Sequence, residues 1–198
     1  MSRVTNKDAA DVLFNVATIL ELAEDNPYRV RAYRRAARLL LSSRDDVRLK
    51  LTPENELDLP GLGPRLRRKL GELLSNGHMR FYVELCADLP GDVSTLMLIP
   101  GVGPKTALRL NEELGLTNAA DVYAAAQQGK IRQLYGFGPK RERQLLEGAE
   151  EVLAGRPKVY APILPAEEDD LPLDREQEAP RLSVLPPAHE QLSLPEAA

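Results

Sequence analysis

An all-α fold is what this sequence predicts, and three observations lead there. Apolar residues recur at steps of three and four in one segment after another. No segment sustains period-two alternation. A Gly-x-Gly-Pro string occurs three times, each time directly ahead of a helical stretch. This helical body ends near Gly155, where the composition changes.

Residues 6–25 place Val12, Leu13, Val16, Ile19, Leu20 and Ala23 on one stripe, the pattern of an amphipathic helix. Asn26-Pro27 punctuates it. Pro27 suits the first position of a second helix, running to about Ser42, because the N–H it lacks would have no partner there. Val30, Tyr33, Ala37 and Leu40 are expected to face inward, with arginines covering the remaining surface. Further helices are expected near 64–76, 79–88, 92–98, 104–114, 118–128 and 139–153.

The repeat is the most informative feature. Leu59-Pro60-Gly61-Leu62-Gly63-Pro64-Arg65 recurs as Ile99-Pro100-Gly101-Val102-Gly103-Pro104-Lys105 and as Leu134-Tyr135-Gly136-Phe137-Gly138-Pro139-Lys140. From this composition a Gly-x-Gly-Pro string should occur roughly 0.07 times, so three copies are not accidental. The glycines permit a tight turn at positive φ and let an anion approach the main chain. Pro64, Pro104 and Pro139 are pre-set for the first helical turn. The unpaired amides of that turn, with the positive end of the helix dipole, then face an anion that Arg65, Lys105 or Lys140 can neutralise. Contacts of this kind read no bases, so they imply sequence-independent, salt-sensitive binding to a phosphate backbone. The alternative is that the glycines only make helix–helix turns, most plausibly in the third copy, where Tyr135 and Phe137 occupy the turn.

Charge supports a polyanionic partner. The formal net charge of the 198-residue chain is −4, yet the acid sits in the tail: residues 156–198 carry four cations, nine carboxylates and eight of the 16 prolines. The preceding 155 residues carry 22 cations against 21 anions, and residues 29–80 alone carry thirteen against six. Such a basic stretch suits a polyanion, particularly as Arg29, Arg31, Arg34, Arg35 and Arg38 show almost no acidic partners at helical spacing. A solvated helix face is the competing reading.

Other classes are disfavoured. One cysteine, Cys86, allows no intramolecular disulfide or four-thiolate zinc site, which fits a reducing, cytoplasmic setting, nucleoid-associated where the polyanion is DNA. The only histidines are His78 and His189, too few for a multi-histidine metallohydrolase, so no metal ligands are assigned. The longest apolar runs, at 39–41 and 96–99, are far short of a membrane span, and no signal peptide is recognisable.

The three hairpins, together with Asn26-Pro27-Tyr28-Arg29-Val30-Arg31-Ala32-Tyr33-Arg34-Arg35-Ala36-Ala37-Arg38, resemble the N-terminal lyase and fingers regions of the family X DNA polymerases, especially the bacterial members. The resemblance covers roughly residues 5–155 and identifies the repeats as helix-hairpin-helix motifs. The palm has no counterpart, since no Asp-x-Asp occurs in this sequence, and the histidine-rich nuclease domain of bacterial members has none either. The resemblance implies that Gly61, Gly63 and Arg65, with Arg68 beside them, hold DNA downstream of a gap, and that Gly101, Gly103 and Lys105 grip the primer-side duplex. Gly136, Gly138 and Lys140 would form the third clamp. Arg29, Tyr33 and Arg34 fall where the family lines a 5′-phosphate pocket. Tyr28-Arg29 replaces a His-Lys pair of the animal enzyme and Phe81 replaces a further lysine, so a complete pocket is not carried over. No organic cofactor is implied, although hairpin turns of related proteins hold a monovalent cation through main-chain carbonyls.

The family's deoxyribose-phosphate lyase uses a lysine eight residues after the first hairpin glycine, a register that falls on Lys69. The implied chemistry is a Schiff base with the opened sugar followed by β-elimination. It needs a neutral amine, which Arg65 and Arg68 would have to favour. Lys69 in a simple phosphate-contacting charge run is the alternative.

In the tail, Gln191-Leu192-Ser193-Leu194-Pro195 is similar to the short peptide by which bacterial replication proteins bind the β sliding clamp, with Gln191, Leu192 and Leu194 as the docking residues. A flexible tail with a reach of about 30–35 Å could tether the body to such a clamp. The acidic run 167–170 could instead screen the basic surface by mimicking DNA.

The expected organisation is therefore a polymerase beta lyase-like helical domain with the first hairpin (1–89), a double helix-hairpin-helix domain (90–155) and a disordered Pro/acid-rich tail (156–198). The expected function is DNA binding at gaps, nicks or branches in repair or replication, without polymerase activity. A metal-independent lyase at Lys69 and a clamp-tethered adaptor remain as alternatives.

Overall fold

The computed structural model describes residues 4–156. Among these, eight α-helices carry the fold: α1 Asn6–Leu22, α2 Pro27–Ser42, α3 Pro64–Asn76, α4 Arg80–Ala87, α5 Gly91–Leu96, α6 Pro104–Leu114, α7 Ala119–Gln127 and α8 Pro139–Leu153. No strand is present among the described residues, only an isolated antiparallel bridge between Leu51 and Leu57. The body is all-α, as the periodicity implies.

α1 is the central rod. Thr5 and Asp8 start it with a reciprocal cap: Asp8 N donates to Thr5 Oγ1 at 3.2 Å, and Thr5 N donates to Asp8 Oδ2 at 2.9 Å. Val12, Leu13, Val16, Ile19 and Leu20 are all fully buried, as their spacing requires. The helix stops at Leu22 rather than running on to 25. Glu24 swings to a φ of 53°, and the Asn26 side chain accepts from Tyr28 N at 2.9 Å to start α2 at Pro27. The apolar stripe overran because Ala23 still packs against the core after the helix has ended.

α1 and α2 form an extensively packed antiparallel pair, and α3, α4 and α6 also pack on α1. Across α1, the buried Asn15 donates to Tyr82 Oη of α4 at 3.1 Å, which satisfies both polar groups inside the core. The buried apolar residues form one continuous cluster from Val4 to Ala149, crossing the expected boundary at residue 89 without a break. Two single 3-10 turns, Val47–Lys50 and Ile131–Gln133, lie in stretches read as connectors. Each is anchored by a single buried apolar residue, Val47 or Ile131, too little to show as a period. Among the described residues, no helix is long and apolar enough to cross a membrane.

Candidate nucleic-acid interface

The three repeats adopt one geometry. In each, the residue before the first proline or tyrosine accepts a backbone bond from three residues on: Leu62 N to Leu59 O at 3.3 Å, Val102 N to Ile99 O at 3.0 Å, and Phe137 N to Leu134 O at 3.0 Å. The third turn residue lies at positive φ every time, 90° at Gly61, 79° at Gly101 and 79° at Gly136, where a side chain would be strained. Leu62, Val102 and Phe137 plug into the core and fix the turn beneath. Gly63, Gly103 and Gly138 are then the extended N-caps of α3, α6 and α8, each followed by proline and none capped by a side chain. The N-cap glycines offer these helix starts no side-chain acceptor, and helix starts of this kind attract anions.

An arginine from elsewhere braces each turn. Arg35 Nη2 of α2 reaches Gly61 O at 3.3 Å, Arg141 Nη2 of α8 reaches Gly101 O at 2.7 Å, and Arg109 Nη1 of α6 reaches Tyr135 O at 2.9 Å. The second and third hairpins therefore brace each other, each helix holding the other's turn. The braces were not legible beforehand, since they join residues 26 to 40 positions apart.

Beside the first hairpin, α2 and the start of α3 enclose a cleft of about 540 Å³. Of the residues expected there, Arg29, Tyr33, Gly61, Gly63, Arg65 and Lys69 all line it; Tyr28, Arg31 and Arg35 join them. Phe81 stands behind as an aromatic wall: its ring stacks on Tyr33 at 6.0 Å, and Lys69 Nζ sits 3.4 Å from its centroid. Lys69 Nζ also lies 3.4 Å from Tyr33 Oη. Where a further lysine would have added charge, Phe81 instead orients the lysine already present. Arg34 and Arg68 lie outside the cleft lining, and Arg68 is exposed on α3.

Two of the α2 arginines have acidic partners, one at helical spacing and one brought in by the fold. Arg29 Nη1 pairs with Asp25 Oδ2 at 2.7 Å, a spacing of four that begins just ahead of the helix. Arg34 Nη2 pairs with Glu21 Oε2 at 2.8 Å. Glu21 comes from the last turn of α1 and Asp25 from the connection between α1 and α2. Glu21 also holds Lys105. Lys140 is exposed at the start of α8. Gln191, Leu192 and Leu194 lie outside the described residues.

Comparison with known proteins agrees with this geometry. Residues 4–79 match a family described as a helix-hairpin-helix domain, and residues 93–151 match one described as a SAM-like helix-hairpin-helix tandem. The first match contains the first hairpin and the second contains the other two. Over 157 residues the chain is 32% identical to a Bacillus subtilis protein named DNA polymerase/3′-5′ exonuclease PolX, covering 79% of this chain and 27% of that one. The chain thus spans about a quarter of the length of this curated relative.

Proposed function

Because the chain is a helix-hairpin-helix protein resembling the N-terminal lyase and fingers regions of bacterial family X DNA polymerases, we propose that it binds DNA through backbone phosphate clamps, independently of sequence, at gaps, nicks or branches formed in repair or replication. The observation that carries this reading is the cationic cleft built directly onto the first hairpin turn. A 5′-phosphate entering it meets Arg35 and Arg65 at its wall and the uncapped amides at the start of α3. The second hairpin, with Gly101, Gly103 and Lys105, takes a phosphate of the adjoining duplex in the same way, and Gly136, Gly138 and Lys140 supply a third contact. Neither α-helix dipoles nor guanidinium groups used in this manner distinguish bases. In this reading the region has no polymerase role.

Equilibrium binding to a one-nucleotide gap with and without its 5′-phosphate, beside intact duplex, tests the proposal. The expected order is phosphorylated gap, then unphosphorylated gap, then duplex. Equal affinity for all three contradicts it.

A second reading is favoured by the placement of Lys69 Nζ inside the cleft, held between Tyr33 Oη and the Phe81 ring. As a deoxyribose-phosphate lyase, Lys69 Nζ adds to C1′ of the ring-opened sugar and water leaves to give the Schiff base. Loss of a C2′ proton then breaks the C3′–O3′ bond, the 3′-phosphate departs with the electron pair, and hydrolysis frees the amine. Borohydride should trap a covalent adduct with incised abasic DNA in the wild type and none in Lys69→Arg. An adduct of equal yield in Lys69→Arg contradicts this reading.

A further inference from the structure

The third hairpin differs from the others at one position. The second residue of the turn is Pro60 in the first copy and Pro100 in the second, the residue such a turn itself favours, but Tyr135 in the third. Tyr135 is 93% exposed, more than any other large apolar side chain among the described residues. Nothing in the turn's own geometry asks for an aromatic ring there. The backbone beneath it is nonetheless fixed from three sides: Arg109 Nη1 holds Tyr135 O at 2.9 Å, Gly136 makes the bend at a φ of 79°, and Phe137 is buried with the Arg109 guanidinium 4.8 Å from its ring. A large ring is thus presented to solvent on a rigid mount.

Its surroundings select the ligand. Residues 130–143 contain five cations, Lys130, Arg132, Lys140, Arg141 and Arg143, and a single carboxylate. That carboxylate, Glu142, is buried and committed to Arg132, accepting from its Nε at 2.6 Å and its backbone N at 2.9 Å. Arg109, which holds Tyr135 O, is likewise paired with Glu113, so the net positive charge comes from Lys130, Lys140, Arg141 and Arg143. An aromatic face in such a cationic setting fits a group with a flat π surface joined to phosphates. We propose that Tyr135 is a stacking platform for an unpaired nucleobase in a single-stranded segment adjoining duplex DNA. Every base has a π face, so the contact is indifferent to sequence and matches the hairpins' mode of binding. A paired base inside an intact duplex offers no free face, so the platform adds preference for DNA structure. The inference rests on the proposed DNA binding and adds a single-strand contact to it.

The chain contains no tryptophan, so Tyr135→Trp in the full-length protein places one reporter at the site. Its emission is expected to be quenched by duplex carrying a short single-stranded overhang, and not by blunt duplex. Tyr135→Ala is expected to weaken binding to the overhang substrate roughly tenfold and blunt-duplex binding by less than twofold, with Tyr135→Phe close to wild type. If Tyr135→Ala binds the overhang as tightly as wild type, or if blunt duplex quenches the tryptophan equally, the platform is refuted while DNA binding stands. If the wild type binds neither DNA, the DNA-binding reading fails and the platform with it.

Discussion

Lys105 Nζ donates to Glu21 Oε2 at 3.0 Å, tying the first cation of the second hairpin helix to the end of α1. The same carboxylate oxygen accepts Arg34 Nη2 at 2.8 Å. One anion thus occupies two cations expected to meet phosphates, from two different hairpin neighbourhoods. The Arg34 hydrogen bond and then that of Lys105 hold the Glu21 carboxyl below the ordinary carboxylate range, against a smaller opposing effect of burial.

A phosphate reaching Lys105 or Arg34 therefore competes with Glu21 for their charge. Glu21→Gln is expected to tighten DNA binding about two- to fivefold at low salt, the scale of an exposed ion pair, with the gain fading as salt rises. Fluorescence anisotropy across a salt series checks this. Unchanged or weaker binding would mean the carboxylate does not compete with DNA.

Arg35 both braces the first turn through Gly61 O and lines the cleft. Arg35→Ala is expected to reduce the preference for a 5′-phosphorylated gap over an unphosphorylated one by about three- to tenfold. Affinity for intact duplex should change little. Competition binding with the paired substrates measures the difference directly.

Packing of α8 on the second hairpin has no slack at Gly148. A Cβ there would lie 2.6 Å from Pro100 O and 3.1 Å from Ile99 Cγ2. Gly148→Ala is expected to cost about 1–3 kcal/mol of stability, read as a lower urea midpoint, because helix and turn must separate. DNA binding should weaken alongside, since the displaced turn is the one that carries Gly101.

Asp121 organises the start of α7. Its carboxylate accepts from Thr117 Oγ1 at 2.7 Å and Thr117 N at 3.0 Å, and these bonds, the hydroxyl's foremost, lower its pKa from the ordinary 3.8. A carboxylate lowered on folding contributes stability that is present above its unfolded pKa and is lost as pH falls through the lower folded value. Asp121→Asn is expected to lower the Tm at neutral pH, and the gap from wild type should close in strong acid. Thermal melts at neutral pH and below pH 3 supply the comparison.

Most of the fold could be read from the sequence, because each helix carries its own local signal. The stripe from Val12 to Leu20, the proline at Pro27 and the three Gly-x-Gly-Pro strings mark starts and faces without reference to distant residues. What escaped is what depends on tertiary contact. Arg35 read as part of a basic stretch and Arg109 and Arg141 carry no local signal, so only packing shows that each holds a hairpin carbonyl. Phe81 read as the loss of a lysine, whereas it forms the wall that positions Lys69. Glu21 gave no signal at all, since its two partners lie 13 and 84 residues away.

The central claim, that the first two hairpins clamp DNA phosphates, is tested most directly by measuring binding of wild type and a Gly61→Val, Gly101→Val double variant to a 5′-phosphorylated one-nucleotide gap and to intact duplex across a salt series. Both glycines sit at positive φ, so the variant distorts the turns. Arg65→Glu with Lys105→Glu, at two exposed positions, serves as a second variant that leaves the turns intact. The account predicts steep salt dependence and gap preference in the wild type, and at least a tenfold loss on gapped DNA in both variants while circular dichroism shows the helices retained. Variants that stay folded and bind gapped DNA as tightly as wild type would contradict it.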